Sequence, residues 1–141
     1  MTADRLTLRL DDRLSEIARI AESVSSFCAA RGVSDDAAYK INLALEELLT
    51  NTISYGFGDG KTHSIDIELR HDGDGVTVEI VDDGEPFDPN SLPTPDLGAS
   101  IEDRRIGGLG VHFVKTVMDE VRYRRDGGRN RITLRKRLPP G

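Results

Sequence analysis

Three groups of residues have the types and spacing to bind a ligand or catalyse a reaction. The first is Glu47 with Asn51, a carboxylate and an amide four residues apart within an amphipathic stretch. On a helix this spacing places both side chains on adjacent turns at one border of the apolar face, whereas Glu46 points to the other side. The pair suits the floor of a cleft, and it also suits a polar pair on a solvated helix flank.

The second group is Asp82-Asp83-Gly84, where an apolar strand ends in two acids followed by glycine. A carboxylate at a strand end can accept a hydrogen bond from an exocyclic amine. The glycine beside it lets a flat ring approach the backbone. The same tripeptide is also typical of a plain turn, so on its own it leaves both interpretations open.

The third group is Gly107-Gly108-Leu109-Gly110, which precedes a helical pattern of valines. Free backbone N–H groups and the positive end of the helix dipole at such a place can hold phosphate oxygens. The glycines could equally be loop hinges. The segment is not a Walker A loop, because no Gly-Lys-Ser/Thr follows, and it is not the dinucleotide fingerprint of a parallel βαβ unit.

The elements that must position these groups follow from hydrophobic periodicity and turn residues. The predicted elements are a strand at 5–10, helices at 14–31 and 35–55, strands at 64–70 and 76–80, a long loop at 82–105, a third helix ending near 119, and strands at 121–125 and 130–138. Asp72-Gly73-Asp74-Gly75 and Asp126-Gly127-Gly128 are typical hairpin turns. This order predicts an α+β fold, a two-layer sandwich of one mixed, mainly antiparallel sheet covered by three helices.

Length and composition predict one domain spanning residues 1–141, with 37% hydrophobic and 31% charged residues. No apolar run approaches the roughly 20 residues of a membrane helix, and no signal-peptide pattern opens the chain. The single cysteine, Cys28, excludes an internal disulfide and a cysteine metal cluster. This fits a reducing compartment, with Cys28 buried in the first helix.

The net charge of −6 argues against general nucleic-acid binding, but the charge is uneven. From Arg104 onward there are 11 Lys and Arg and 3 Asp and Glu, a local charge of +8. This basic part could dock something acidic. Its arginines alternate with apolar residues over 131–135, so it could also be the solvated face of a strand.

Taken together, the three groups resemble the boxes of the GHKL (Bergerat-fold) ATPases. The run 47–51 resembles the N box, Asp82-Asp83-Gly84 the first glycine box, and Gly107-Gly108-Leu109-Gly110 the second. The resemblance covers nearly the whole chain. It is greatest to the stand-alone anti-sigma factor serine/threonine kinases of bacterial partner switching, on the strength of the runs 82–89 and 105–121.

The resemblance implies roles for individual residues. Asn51 would coordinate Mg²⁺ through its side-chain oxygen, and Glu47 would be the catalytic carboxylate beside it. Asp82 would bind the adenine amine, and Gly84 would give the base room. The resemblance also implies phosphate contacts from the second glycine box and a basic neighbour; these residues are Gly107, Gly108, Leu109, Gly110 and Arg105. The segment from about 86 to 106 would be the ATP lid.

Two positions depart from the family pattern. Family members often carry His or Lys shortly after the N-box asparagine, where this chain has Ser54 and Tyr55. The alternatives for phosphate contact are Arg104, Arg105 or Lys115. The first glycine box of histidine kinases usually has a second glycine where this chain has Pro86, which indicates a stiffer lid root and the anti-sigma branch.

The implied function is an ATP-dependent anti-sigma factor and protein serine/threonine kinase. It would phosphorylate a STAS-type anti-anti-sigma factor and sequester a sigma factor. The protein would be a cytoplasmic bacterial homodimer joined through the first strand and helix. It would make no direct contact with nucleic acid or membrane. One alternative is a non-catalytic ATP-binding partner switch, which the presence of Glu47 disfavours. Another is a detached histidine kinase ATP-binding domain, disfavoured because none of the 3 histidines lies in a dimerising helical hairpin. A third alternative is a structural domain that binds no ligand, which would require the three groups to occur together by coincidence.

Overall fold

The computed structural model describes residues 4–56, 63–91 and 108–139. The elements within these ranges are β1 (Arg5–Asp11), α1 (Glu16–Ala30), α2 (Asp35–Asn51), a π-helical turn (Thr52–Gly56), β2 (Ser64–His71), β3 (Gly75–Asp82), a 3₁₀ turn (Pro89–Ser91), α3 (Gly108–Val117), β4 (Glu120–Asp126) and β5 (Arg129–Arg137). Within these ranges the α-helices and strands match the predicted ones in type and order, and the 3₁₀ turn lies in the predicted long loop. None of the helices in these ranges combines the length and the hydropathy that a membrane span requires.

The strands form one sheet in the order β1-β2-β3-β5-β4. All four pairings among the described strands are antiparallel. The sheet is therefore antiparallel throughout the described residues, whereas the sequence predicted a mixed, mainly antiparallel one. The α+β class with three helices is confirmed.

Both predicted hairpins are present. In the β2–β3 turn, Asp72 Oδ1 accepts hydrogen bonds from the backbone N–H groups of Asp74 at 2.8 Å and Gly75 at 2.9 Å. In the β4–β5 turn, Gly127 and Gly128 have φ of 61° and 77°. Glycine adopts this left-handed conformation without steric cost, and a two-residue turn of this kind matches the strand twist.

The central helix, α2, begins where the sequence places its start. Ser34 is extended, and its hydroxyl accepts a hydrogen bond from the backbone N–H of Ala37 at 3.2 Å. Such a cap satisfies one of the free N–H groups at a helix start. At the other end the α-helix stops at Asn51, and the last residues of the predicted helix form the π-helical turn.

The helices cover one face of the sheet, and the other face is open to solvent. Apolar residues of both layers form a single core, in which the most buried large side chains are Leu10, Ile20, Ile41, Leu45, Leu48, Leu49, Ile65, Ile67, Leu69, Ile80, Ile132 and Leu134. On the open face, ion pairs such as Arg9–Asp66 at 2.8 Å join neighbouring strands. The end of α2 lies near the end of β3, since Asn51 and Asp82 line one cavity.

Candidate functional site

The end of α2 presents the first predicted pair. Asn51 is only 9% exposed, and Glu47, one turn earlier, is half-buried. Among the residues that the structure describes, neither side chain has a hydrogen-bond or ion-pair partner. The amide atoms of Asn51 are nevertheless not fully buried, so water or a ligand can reach them through the cavity that Asn51 lines.

Asn51 and Asp82 line the same small cavity, of about 80 Å³. Its full lining is Asn51, Thr52, Asp82, Glu85, Pro86, Phe87, Asn130 and Ile132. Small-ligand sites usually measure about 300–1,000 Å³, so this cavity could receive one edge of a flat ring rather than a whole nucleotide. The structure thus brings the first and second predicted groups together across the helix and sheet layers.

Asp82 is 4% exposed, and one of its carboxylate oxygens is fixed by the protein. Oδ1 accepts hydrogen bonds from the backbone N–H of Gly84 at 2.8 Å and from Asn130 Nδ2 at 3.1 Å. Oδ2 has no hydrogen-bond donor among the described residues. The Asp-Asp-Gly run is a turn, as its composition allows, and it still leaves one carboxylate oxygen for an amine.

The neighbouring acid, Asp83, has a different environment. Its Oδ1 lies 2.8 Å from His63 Nδ1, and its side chain is 53% exposed. His63 also contacts Asp12, because its backbone N–H donates a hydrogen bond to Asp12 Oδ2 at 3.1 Å. Of the two consecutive acids, only Asp82 lies in the cavity beside Asn51.

Asn130 on β5 is the residue that sequence analysis missed. It is 2% exposed, and its amide nitrogen donates to Asp82 Oδ1 at 3.1 Å and to the Glu85 carbonyl at 2.7 Å. Its side-chain oxygen accepts from the backbone N–H of Phe87 at 3.2 Å. Its position could have been found from strand alternation, because it lies on the same face as the buried Ile132 two residues later.

Strand β4 completes this polar cluster. The Tyr123 hydroxyl donates to Asn130 Oδ1 at 2.6 Å. Arg125 Nη1 donates to the Gly84 carbonyl at 2.7 Å and to Asn130 Oδ1 at 3.2 Å. The β4–β5 hairpin therefore fixes both the carboxylate of Asp82 and the turn that follows it.

The first part of the predicted lid, residues 86–91, is held against the sheet. In addition to the Phe87–Asn130 hydrogen bond, Asn90 Nδ2 donates to the backbone carbonyl of Val121 at 2.9 Å. These two hydrogen bonds attach this end of the segment to β5 and to the edge strand β4. The rest of the lid lies outside the described residues.

Helix α3 begins at Gly108, so Gly108, Leu109 and Gly110 form its first turn and α3 packs against α2. The first N–H groups of a helix lack intrahelical partners, which is what phosphate binding requires. Gly107 and the alternatives Arg104 and Arg105 lie outside the described residues. Lys115 is exposed on α3, and Ser54 is exposed in the π-helical turn.

The described residues contain no group of three or more His, Cys, Asp or Glu side chains that could hold a metal ion. Mg²⁺ commonly takes one or two ligands from the protein and the remainder from water and substrate phosphates. An unpartnered amide oxygen at Asn51 fits that donor set.

Comparison with known proteins places the chain in a family. Residues 10–136 match the model of the histidine kinase-like ATPase domain. The chain is also 30% identical over 102 residues to the serine/threonine-protein kinase BtrW of Bordetella bronchiseptica, covering 72% of each protein. This chain belongs to the histidine kinase-like ATPase family. The GHKL resemblance of the sequence is thereby confirmed.

Further members of this family share most of their length with the chain. The serine-protein kinase RsbW of Listeria monocytogenes is 29% identical over 129 residues, which cover 89% of this chain and 82% of the relative. The serine-protein kinase RsbW of Bacillus subtilis is 24% identical over 131 residues, which cover 89% and 81%. Within the family, the chain is therefore similar to serine-protein kinases.

Solved structures of family members share the fold. The RsbU and RsbW domains of Rv1364c from Mycobacterium tuberculosis match with a TM-score of 0.65 at 16% identity, over 96% of this chain and 33% of that longer chain. The histidine kinase domain of the blue-light activated histidine kinase EL346 from Erythrobacter litoralis matches with a TM-score of 0.51 at 18% identity, over 89% and 60%. At these identities the likeness establishes the architecture.

Proposed function

We propose that this protein is an ATP-dependent protein serine/threonine kinase and anti-sigma factor of a bacterial partner-switching system. The observation that carries the proposal is the convergence of Asn51 and Asp82 on one cavity, each with an unpartnered side-chain atom among the described residues. Membership of the ATPase family and the names of the kinase relatives support it.

In this proposal Asp82 binds adenine. Its Oδ2 accepts a hydrogen bond from the exocyclic amine, while Oδ1 stays on the Gly84 N–H and on Asn130. A carboxylate with one oxygen already fixed loses little orientational freedom when it binds. The first turn of α3, with Gly107 and Arg105 before it, holds the phosphates.

Mg²⁺ neutralises charge on the β- and γ-phosphates in kinases generally. Asn51 would contribute the protein's ligand, because a carboxamide oxygen is a hard donor. The role of Asn51 is then to fix the distance between the phosphates and Glu47, one helical turn away.

Glu47 acts as the catalytic carboxylate. A serine or threonine hydroxyl of the protein substrate attacks the γ-phosphorus, its proton passes to Glu47, and the bond to the β–γ bridging oxygen breaks to release ADP. Glu47 has no competing basic partner among the described residues, so its carboxylate is available to the incoming hydroxyl.

The protein substrate is a STAS-type anti-anti-sigma factor, and a sigma factor competes for the same kinase. Phosphorylation adds about two negative charges, which release the antagonist by repulsion and by the cost of desolvation. The protein works as a homodimer, joined through the first strand and helix, inside a bacterial cell. The bacterial origin of the relatives supports that setting.

Calorimetric titration of Mg·ATP tests the nucleotide site. Wild type should bind at micromolar Kd. Asp82→Asn, which replaces the accepting oxygen with a donor, should bind about 10- to 150-fold more weakly, as the loss of a charge-assisted hydrogen bond predicts. Asp83→Asn is the matched control and should bind like wild type, because Asp83 pairs with His63 instead. Absence of heat with wild type would refute ATP binding.

Transfer is tested separately, with γ-labelled ATP and a STAS-domain protein from the same genome. Glu47→Gln should bind Mg·ATP normally and lose labelling of the STAS protein, while Glu68→Gln on the open sheet face should keep it. A wild type that binds Mg·ATP and labels no STAS protein would instead support a non-catalytic, ATP-binding switch.

A further inference from the structure

A second, larger concavity lies between α1 and α2, on the opposite border of α2 from Asn51. It has a volume of about 680 Å³ and is lined mainly by apolar side chains of both helices, among them Leu14, Ile17, Ala21, Tyr39 and Leu43. Leu14 is 53% exposed and Tyr39 is 59% exposed, so the concavity is an open groove. Small-molecule sites instead enclose most of their ligand.

The shape of the groove fits a helix. On α2 its lining extends from Tyr39 to Thr50, which is about 16 Å at 1.5 Å per residue, or three helical turns. Exposed apolar side chains along such a length match the i, i+3, i+4 and i+7 anchors of an amphipathic helix lying in a groove. Exposed aromatic and leucine side chains in one patch are typical of a protein-binding surface.

The charged residues of α1 and α2 indicate the sign of the charge that a partner should carry. The basic residues of α1 and α2 are already engaged, since Arg19 pairs with Glu16 at 2.7 Å and Lys40 pairs with Asp36 at 3.0 Å. The exposed acids Glu22, Asp35 and Glu46 have no basic partner among the described residues, and Glu46 itself lines the groove. An apolar groove with one unpaired acid in its lining, between two helices whose other unpaired exposed charges are also acidic, favours a basic partner and disfavours an anionic lipid surface.

From these observations we propose that the groove between α1 and α2 binds an amphipathic helix of a partner protein, with apolar residues on one face and Lys or Arg on its flanks. Glu46 and Thr50 line the groove, and the next residues along the helix, Glu47 and Asn51, belong to the candidate active site. A helix bound here therefore contacts the same helix that carries the candidate active site, on its other border. Only the identification of this partner with a kinase substrate or sigma factor rests on the proposed function.

The test uses the full chain and a labelled peptide of about 18 residues, with leucines at helical spacing and lysines elsewhere. A peptide of the same composition in an order that breaks the helical spacing is the peptide control. In fluorescence anisotropy the periodic peptide should bind at least about tenfold more tightly than the reordered one, because only the periodic one presents a continuous apolar face.

Two pairs of variants locate the binding. Tyr39→Ala removes an exposed groove residue, and Ala18→Lys introduces bulk and positive charge into the groove; each should weaken the periodic peptide about tenfold or more. The controls are Phe113→Ala, which removes another exposed aromatic on α3, and Ala29→Lys, at an exposed position of α1 outside the groove lining. Both should bind within about twofold of wild type.

The proposal is overturned if the two peptides bind equally, or if the groove and control variants behave alike. It is also overturned if Ala18→Lys on α1 and Tyr39→Ala on α2 both convert a dimer to a monomer in sedimentation, since a second copy of this chain then occupies both walls of the groove. Mg·ATP titration on the same samples separates the two proposals. Peptide binding without Mg·ATP binding refutes the proposed kinase and supports the proposed groove. Mg·ATP binding without preferential binding of the periodic peptide refutes the proposed groove alone.

Discussion

The side-chain nitrogen of Asn130 lies 3.1 Å from Oδ1 of Asp82, joining two residues 48 positions apart in the chain. Asn130 sits on β5 with its side chain almost fully buried, and Asp82 ends the neighbouring strand in register with it. Both oxygen and nitrogen of the Asn130 amide are engaged by protein groups. Its role at the site is therefore to position Asp82 rather than to contact a ligand.

Asn130→Leu should destabilise the fold by about 1–3 kcal/mol, because the Glu85 carbonyl and the Tyr123 hydroxyl lose a buried partner. Urea unfolding measures this. Mg·ATP affinity should fall as well, since Asp82 loses one of its two fixed hydrogen bonds. Tyr123→Phe removes a single donor and should cost about 1 kcal/mol. Equal stability of Asn130→Leu and wild type would contradict the positioning role.

Asn51→Leu should abolish Mg²⁺-dependent ATP binding without destabilising the protein. The Asn51 side chain has no partner among the described residues and its amide atoms are not fully buried, so an apolar side chain of similar volume should change the free energy of unfolding by less than about 1 kcal/mol. The comparison is Asn42→Leu, whose amide donates to Ser25 Oγ at 3.0 Å and should lose stability. Thermal unfolding and calorimetry on both variants check this. A large loss of stability in Asn51→Leu would indicate that Asn51 is structural.

Ser34→Ala should lower the free energy of unfolding by about 1 kcal/mol, because the hydroxyl caps the helix that carries Glu47 and Asn51. Ser15→Ala is the matched control. Ser15 precedes α1 in the same way, but its side chain makes no capping hydrogen bond. Urea unfolding of the two variants should therefore differ, and identical values would show that the Ser34 cap contributes nothing.

Cys28 should resist thiol reagents in the native protein. It is fully buried in α1, and burial raises the pKa of its thiol, which lowers the fraction of reactive thiolate. Ellman's reagent should react at once in urea and only slowly in buffer. A Ser26→Cys variant, at an exposed position of the same helix, should react in buffer with one thiol. Rapid labelling of native wild type would contradict the burial.

Asp72 should make stability depend on pH in the acid range. The Arg135 guanidinium, and then the N–H groups of the turn, hold the pKa of Asp72 well below its usual range. A carboxyl group whose pKa is lower in the folded than in the unfolded state stabilises the fold above about pH 4. This stabilisation is lost as the pH falls through the folded-state pKa. Because the side chain is 56% exposed, we expect less than about 1 kcal/mol.

Urea unfolding of Asp72→Asn at pH 6 and pH 3 checks this. The variant should be less stable than wild type at the higher pH, and the difference should shrink at the lower pH. Asp74→Asn, two residues later in the same turn, is the control and should follow wild type at both values. A difference between Asp72→Asn and wild type that does not change with pH would contradict the linkage.

Local patterns in the sequence were sufficient to predict the helices and strands and to select several of the candidate site residues. Alternation and turn chemistry identified both hairpins, and the serine before two acids identified the start of α2. These signals act over a few residues, so they are readable without the fold. The spacing of Glu47 and Asn51 likewise fixes their common border on α2.

What only the tertiary structure decided is which distant groups meet. Asn130 and Arg125 reach the turn after Asp82, and Tyr123 contacts Asn130, because β5 pairs with β3 as well as with β4. The contact of Asp83 with His63, away from the cavity that Asp82 lines, and the groove between α1 and α2 follow from the same packing. The hydrophobic periodicity and the side-chain types of each element can be read from its sequence. The order of the strands and the contacts between helices depend instead on the free energy of the whole core.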